Sequence, residues 1–274
     1  MLLVTDNDIL LAQYDRLAAG DTVLGRLRLR PGEEHLLVDL QARGVRMIPS
    51  ATSQLCSRSK VFQARILGGF MLPRTAPVYD LHDMMRLVGP YTRAVDGPVV
   101  CKLDRANGGT GILRFATIED VYTQAALGTL PFPFVVQPLA HRCRDIRIVL
   151  LGGIVEAYER HNPDNFRHNL HCGGRSSSVE PSAGQLELCR QVMARAGFPY
   201  AFVDLLVDDR GRNWLSEINL RGGLRGARLT QQDYLQAVEE IHHRILAGGY
   251  DGGEDDSPVA GKAHSRRAGG GTNR

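Results

Sequence analysis

Apolar residues fall into short runs and alternating stretches punctuated by glycine and proline, a pattern that predicts most of the elements. Over residues 1 to about 59 it is weak and reads as two αβ-like units. The clearer unit starts at Pro31-Gly32, has a helical run over 33–43, stops at Gly44 and ends in the strand VRMI before Pro49. Residues 57–67, SRSKVFQARIL, predict a helix terminated by Gly68-Gly69. Beyond Gly97-Pro98 come the strand PVVCKL, the polar turn DRANGGTG, the strand ILRF, a helix over 117–127 and, after Pro131, the strand FVVQPL. RDIRIVLLGG and IVEAYER read as a hairpin turning at Gly152-Gly153. An amphipathic helix over 182–196 precedes a last hairpin, AFVDLLV with NWLSEINL, and the helix over 231–246 closes the fold. Helices mixed with antiparallel hairpins, with no internal repeat, make the class α+β. From about Gly248 the chain is glycine-rich, acidic then basic, and is expected to be disordered.

Composition removes several classes. With 43% hydrophobic and 23% charged residues, the 274-residue chain is globular and long enough for a sizeable core. A formal charge of +3 is too small for a dedicated nucleic-acid binder, and the basic pair Arg266-Arg267 in the tail adds little to that case. Cys56, Cys101, Cys143, Cys172 and Cys189 are odd in number and include no C-x-x-C pair, which argues against a disulfide framework or a zinc site. The first residues lack the basic start and apolar run of a signal peptide, and no stretch approaches the roughly 20 apolar residues of a membrane span. A cytoplasmic protein without membrane contact is expected.

One ratio changes the picture. Of 33 basic residues, three are lysine: Lys60, Lys102 and Lys262. Arginine-biased drift accounts for such a ratio wherever any cation will serve, but it spares sites that need a compact, flexible ammonium. Lys262 lies in the tail, so Lys60 and Lys102 remain to be explained.

Three places carry candidate chemistry. In the last hairpin, a turn centred on Arg210-Gly211 puts Asp204 opposite Glu217, an arrangement that is destabilising unless a cation intervenes. Asn219 shares the face of Glu217, Leu215 is a further step along it, and Trp214 and Ile218 point the other way. Two carboxylates and an amide oxygen suit Mg²⁺ with phosphates completing its shell, and a solvated face is the competing reading. Lys102 ends a strand just before Asn107-Gly108-Gly109-Thr110-Gly111, where backbone N–H groups can converge on an anion; a plain glycine-rich turn reads equally well. Arg147, Arg160 and Arg167, with Asn169 in the run Phe166–His171, could hold phosphate or carboxylate oxygens, or simply pair with Glu156 and Glu159.

SRSK, VVCKLDRANGGTG, FVVQPL, RDIRIVLLGGIVEAYER, FRHNLHCGG and FVDLLVDDRGRNWLSEIN, in this order, resemble the ATP-grasp ligases. Within them they resemble the RimK-type branch, which contains the ribosomal-protein S6 glutamate ligase and related amino-acid ligases. The resemblance covers about residues 33 to 229. It implies an ATP-grasp fold in which two α+β subdomains grip ATP, with a small αβ pre-grasp domain over 1–59, the grasp domain over 60–247 and its lid subdomain at about 95–140. It also implies a carboxylate–amine ligase working through an acyl phosphate and releasing ADP and phosphate. ATP and Mg²⁺ or Mn²⁺ are the cofactors, and the partners are an amino-acid-like carboxylic acid, an amine on a small molecule or a protein, and a second copy of the chain in a homo-oligomer.

By position, Lys60 and Lys102 contact the nucleotide, with Gly109 and Gly111 over its phosphates. Gln137, Pro138, Leu139 and Ala140 form the hinge that reads adenine. Arg147, Arg160, Arg167 and Asn169 face phosphate or substrate, and Asp204, Glu217 and Asn219 hold the metal. His141, His161, His168 and His171 are structural or nucleotide-proximal rather than bases. Phosphoryl transfer of this kind depends on positioning and charge neutralisation.

The chain departs from the family at Ala106, which replaces a glycine, and at Pro138, where glutamate is common. It departs again at Arg221 and Arg225, inside a stretch where the family carries small residues. Those two arginines favour a more anionic substrate. The other reading is a nucleotide-binding relative that has lost ligase activity or been diverted to another phosphoryl transfer.

Overall fold

Three sheets, each with its own hydrophobic core, divide the chain. In this computed structural model residues 1–95, 97–106, 108–140, 142–167 and 173–248 are described, so all but the first residue of the predicted tail lies outside them.

The first sheet is parallel, ordered β1 (Leu3–Val4), β2 (Thr22–Leu24), β3 (Arg46–Ile48). The helices α1 (Asn7–Gln13) and α2 (His35–Ala42) connect its strands, and Leu10, Leu37 and Leu40 pack with Val4, Val23 and Val45. Strands of two or three residues are too short to show alternation, which is why this region patterned weakly.

Two helices follow where one was expected over 57–67. The first, α3 (Ala51–Cys56), ends before Ser57, and α4 (Lys60–Leu67) starts afresh. Ser59 caps α4 by accepting from the Phe62 N–H at 3.1 Å, and the Asp104 carboxylate accepts from the Val61 N–H at 3.2 Å. Both satisfy N–H groups that a helix start leaves without partners. The break puts Lys60 in the first turn of α4.

The second sheet is antiparallel: β4 (Ala76–Val78), β5 (Val99–Leu103), β6 (Ile112–Phe115) and β7 (Phe134–Pro138), in the order β4-β7-β5-β6. The helices α5 (Leu81–Ala94) and α6 (Ile118–Ala126) cover it, burying Met84, Tyr91 and Val121 against Val99, Cys101 and Phe134. No element is proposed from the sequence between Gly69 and Gly97, so α5 was not anticipated. Pro90 lies inside the helix, and the Tyr91 ring buried in the core carries the helix past it.

The third sheet consists of β8 (Arg144–Leu151), β9 (Ile154–His161), β10 (Arg175–Val179), β11 (Ala201–Val207) and β12 (Asn213–Asn219). It is antiparallel throughout, in the order β10-β9-β8-β11-β12. The helices α7 (Ala183–Ala196) and α8 (Gln231–Leu246) contribute Cys189, Val192, Ala237 and Ile241 to the core that holds Ile146, Ile148, Val203 and Leu205. Both helices begin with reciprocal capping pairs, Ser182 with Gln185 and Thr230 with Asp233, which fix their first residues.

The last hairpin puts Asp204 opposite Glu217, as expected, but by a different route. Leu205 faces Leu215 and Asp204 faces Glu217, so Ser216 is an extra residue on β12, a bulge. The bulge shifts the phase of the strand. Leu215 joins Ile218 in the core instead of following Glu217 along the polar face.

Candidate active site

The three units meet around a cavity of about 610 Å³. Arg26 and Arg58 line it from the N-terminal unit, Lys60 from α4, and Arg105, Ala106, Gly108 and Gly109 from the loop between β5 and β6. The third sheet contributes Arg147, Tyr158, Arg160, Asp204, Glu217 and Asn219, and residues 221–225 also line it.

Both lysines are buried here. Lys60 Nζ donates to the Ala106 carbonyl at 2.5 Å and stands 3.6 Å from Glu217 Oε1. Lys102, on β5, donates to the carbonyl and the hydroxyl of Ser216, each at 3.2 Å. The bulged residue is thus the lysine's docking point. Burial pushes the Lys102 pKa down to about 8, Glu217 opposing the fall and Lys60 adding to it.

Antiparallel register assembles the arginine–carboxylate cluster. Arg147 on β8 faces Asp204 on β11, and Arg160 on β9 faces Asp145 on β8. Arg147 grips Asp204 with two bonds, Nε to Oδ1 at 2.6 Å and a terminal nitrogen to Oδ2 at 2.8 Å. Arg160 reaches Asp204 Oδ2 at 3.0 Å and Asp145 Oδ1 at 2.5 Å. Burial opposes the charge on Asp204, but the two guanidiniums outweigh it and hold the carboxyl below the usual carboxylate range. Glu156 does not pair within this cluster: it accepts from the N–H groups of Arg228 at 2.5 Å and Leu229 at 3.0 Å, while Glu159 pairs with Arg144 at 2.8 Å.

The loop between β5 and β6 is tied down at several points. Asp104 accepts from Ser59 Oγ at 2.9 Å, and Arg105 pairs with Glu34 at 2.5 Å. Gly108 and Gly109 have φ of 66° and 82°, a region glycine enters without strain. A Cβ on Gly111 would lie 2.2 Å from the Ala106 Cβ, so the alanine at 106 requires a glycine at 111.

The expected residues separate into two groups. Lys60, Gly109, Arg147, Arg160, Asp204, Glu217 and Asn219 line one cavity; Lys102 and Gly111 are not among its lining residues, Lys102 being buried with its ammonium on Ser216. Gln137, Pro138, Leu139 and Ala140 are not among its lining residues, and the Leu139 N–H donates to the Pro98 carbonyl at 2.9 Å, so that hinge donor is already engaged. Arg167 is not a lining residue either, but it borders one: its guanidinium donates to the carbonyl of the lining residue Ile112 on β6 at 3.0 Å and stacks on Phe166, linking this segment to the second sheet. His161 ends β9, exposed. Asn107, His141, His168, Asn169 and His171 lie outside the described residues.

Gln63 was not anticipated. Its amide donates to the Ile218 carbonyl at 3.0 Å and accepts from the Ile218 N–H at 3.1 Å, pinning the free edge of β12 beside Glu217. Its neighbourhood in sequence, an amphipathic helix, offers no sign of this. Arg26 and Arg58 were hidden among thirty arginines. Asp204, Glu217 and Asn219 line the same cavity and have the oxygen donors that Mg²⁺ takes, phosphates and water completing its shell; both Asp204 oxygens are held by Arg147 and Arg160, and among the described residues no three His, Cys, Asp or Glu side chains converge.

Residues 60–242 match the RimK-like ATP-grasp domain, and the chain belongs to that family. The family brings with it ATP-dependent carboxylate–amine ligation. Similar curated proteins include a probable alpha-L-glutamate ligase of Coxiella burnetii, 28% identical over 247 residues, covering 84% of this chain and 77% of that protein. Another, of Sodalis glossinidius, is 31% identical over 152 residues, 54% of this chain and about half, 49%, of that one. Among solved structures, D-cycloserine synthetase DcsG superposes with a TM-score of 0.60 at 15% identity, covering 89% of this chain and 99% of that one. The D-alanine–D-alanine ligase of Bacillus anthracis complexed with ATP gives 0.58 at 16% identity, over 89% and 85%. These superpositions place the fold among ATP-grasp ligases. No helix among the described residues is long and apolar enough to cross a membrane.

Proposed function

We propose that the cavity joins a carboxylic acid to the amine of an amino acid or peptide at the expense of ATP, through an acyl phosphate. The carrying observation is that the only lysines before the tail, Lys60 and Lys102, are buried beside the facing pair Asp204 and Glu217. The second sheet, with the insertion expected over about 95–140, acts as the lid, and residues 1–59 as the pre-grasp unit.

Lys60 and Lys102 neutralise phosphate charge, and Gly108 and Gly109 bring backbone close to the phosphates. Arg147 has its bidentate grip on Asp204 and one further nitrogen 3.4 Å from the Gly223 carbonyl, so it orients the carboxylate while facing the space where the acid reacts. Arg160 serves Asp145 and Asp204, a positioning role. Asp204, Glu217 and Asn219 would hold Mg²⁺, which when bound neutralises charge developing on the phosphate oxygens. The acid's carboxylate attacks the γ-phosphorus and ADP leaves. The amine then attacks the acyl carbon, phosphate departs and the amine loses a proton.

Hydroxylamine trapping tests this reading. Incubated with Mg-ATP and a panel of carboxylic acids that includes acidic amino acids and peptides, the protein is expected to release ADP and form a hydroxamate with at least one of them. Nucleotide binding without ADP release across the panel overturns it.

A further inference from the structure

β12 ends the third sheet, and among the described residues only the isolated bridge from Met71 to Leu215 lies along its outer edge. That edge is nevertheless covered: Leu215, Ile218 and Leu220 are buried, and a covered backbone N–H or C=O without a partner is costly. Three side chains from separate segments take the place of a neighbouring strand. Lys102 donates to the Ser216 carbonyl at 3.2 Å, Gln63 bonds Ile218, and the Leu220 N–H donates to Ser57 Oγ at 3.0 Å. The positions they meet are two residues apart, the period at which a strand presents its backbone groups to one edge.

Gln63 differs from the other two in making a reciprocal contact. Its amide accepts from the Ile218 N–H at 3.1 Å and donates to the Ile218 carbonyl at 3.0 Å, the pair of bonds that facing residues of antiparallel strands exchange. It also donates to the Cys56 carbonyl at 2.7 Å, at the end of α3. A glutamine amide has two N–H donors and one oxygen acceptor, so both donors are engaged and the reversed amide would set donor against donor. Buried and spent in this way, Gln63 acts on the cavity through β12.

Ile218 lies between Glu217 and Asn219. Side chains alternate along a strand, so Ile218 enters the core while both neighbours line the cavity. The bulge at Ser216 interrupts the pairing with β11 just upstream, which leaves this stretch dependent on a hold from its other side. The two carboxylates of the facing pair also differ. Arg147 and Arg160 grip Asp204, whereas Glu217 has Lys60 at 3.6 Å, so the place of Glu217 follows that of its backbone.

We propose that Gln63 is a positioning residue: by holding Ile218 it fixes Glu217 and Asn219 on either side, and so sets how tightly the cavity binds a divalent cation together with nucleotide. This rests on the reading that Asp204, Glu217 and Asn219 hold Mg²⁺.

Calorimetry of ADP binding to the full chain, with saturating Mn²⁺ and separately with EDTA, tests it. Wild type is compared with Gln63→Met, which keeps the length of the side chain but not its amide, and with Gln54→Met. Gln54 is an equally buried amide that also bridges an N–H and a carbonyl, those of Leu27 and Pro49, each at 2.9 Å, and these partners lie outside β12. Wild type is expected to bind ADP at least about tenfold tighter with Mn²⁺ than with EDTA, and Gln63→Met to lose that gain while its affinity in EDTA stays within about twofold of wild type. Gln54→Met should lose thermal stability as well yet keep the gain. Hydrogen exchange of the amides over 216–220 should quicken in Gln63→Met and not in Gln54→Met. Gln63→Asn, whose amide is one methylene too short to bridge, replaces the methionine variant if that one does not fold.

A gain unchanged in both Gln63 variants overturns the positioning role. So does an equal loss of the gain in Gln54→Met, which would mean a general softening of the fold. An equal loss of affinity in EDTA also overturns it, by putting Gln63 behind the nucleotide rather than the metal. No gain in wild type overturns the metal reading and the positioning role together. A gain lost in Gln63→Met, with no ADP released from any acid, defeats the ligase reading and leaves the positioning role standing. ADP release with the gain kept in Gln63→Met does the reverse.

Discussion

The cations at and beside the cavity carry the same formal charge in different ways. Lys60 and Lys102 are buried, and each ammonium is seated on backbone: the Ala106 carbonyl in one case, the bulged Ser216 in the other. Among the arginines that line the cavity, Arg26 and Arg221 are exposed and Arg58 is only half-buried. A chain that writes nearly every cation as arginine keeps lysine where the charge must fit a closed seat on a carbonyl. Where it uses arginine, there is room for a planar fork. The difference teaches that the identity of a cation, rather than the sum of charge, separates the buried seats from the open wall.

The contrast can be broken most severely at the point where both kinds of charge meet. Asp204→Asn leaves Arg147 and Arg160 buried beside a neutral partner, and removing one member of such a cluster costs roughly 3–5 kcal/mol. Urea denaturation should show that loss, and stability within 1 kcal/mol of wild type (roughly the uncertainty of such measurements) would mean the cluster relaxes freely.

Lys102→Arg comes next. A bulkier, planar cation cannot take the seat at Ser216, and ATP turnover should fall by about 10²–10³-fold, the size of effect seen when a charge-stabilising donor is lost. Steady-state ADP release measures it, and near-wild-type turnover would remove the reason for lysine at this position.

Proton linkage sharpens the same point. In the free protein Lys102 loses its proton near pH 8, and phosphates placed beside it should raise that value. Nucleotide binding above pH 8 should therefore take up protons, and affinity should weaken as pH rises past 8. Calorimetry in buffers of differing ionisation heat reads the uptake, which should vanish in Lys102→Gln. The smallest effect is expected from Gly223→Ala. Its Cβ would meet no atom within 4 Å, so stability should change by less than about 0.5 kcal/mol in thermal or urea unfolding. By contrast, Gly222→Ala puts a Cβ 2.6 Å from the Phe202 ring and should be clearly destabilising.

Much of this was legible in the chain. Hairpin strands with alternating or continuous apolar runs, and helices with capping pairs such as Thr230 and Asp233, announce themselves locally. So did the facing of Asp204 and Glu217, although the hairpin reaches it through the Ser216 bulge that no local signal marks. The helix over 81–94 was not proposed from the sequence at all; it carries Gly89-Pro90 inside it, which tertiary packing of Tyr91 tolerates. Arg167 illustrates the limit for the site: its residue type suggests an anion, but nothing in the sequence tells that its guanidinium donates to the Ile112 carbonyl at the cavity's border. Arg26 and Arg58 reach the cavity because the segment before Lys60 packs against the third sheet, as Ser57 does on the Leu220 N–H, a contact between segments that sequence spacing cannot reveal.

The role proposed for the two buried lysines has a direct measurement: equilibrium affinities for Mg-ATP in Lys60→Ala and Lys102→Ala, taken beside Arg26→Ala and Arg221→Ala at pH 7. The lysine variants should lose ATP affinity by tenfold or more, on the order of one charged hydrogen bond each, with the arginine variants within about twofold of wild type. Arginine variants that lose ATP while the lysine variants keep it would contradict the assignment of the lysines to the nucleotide.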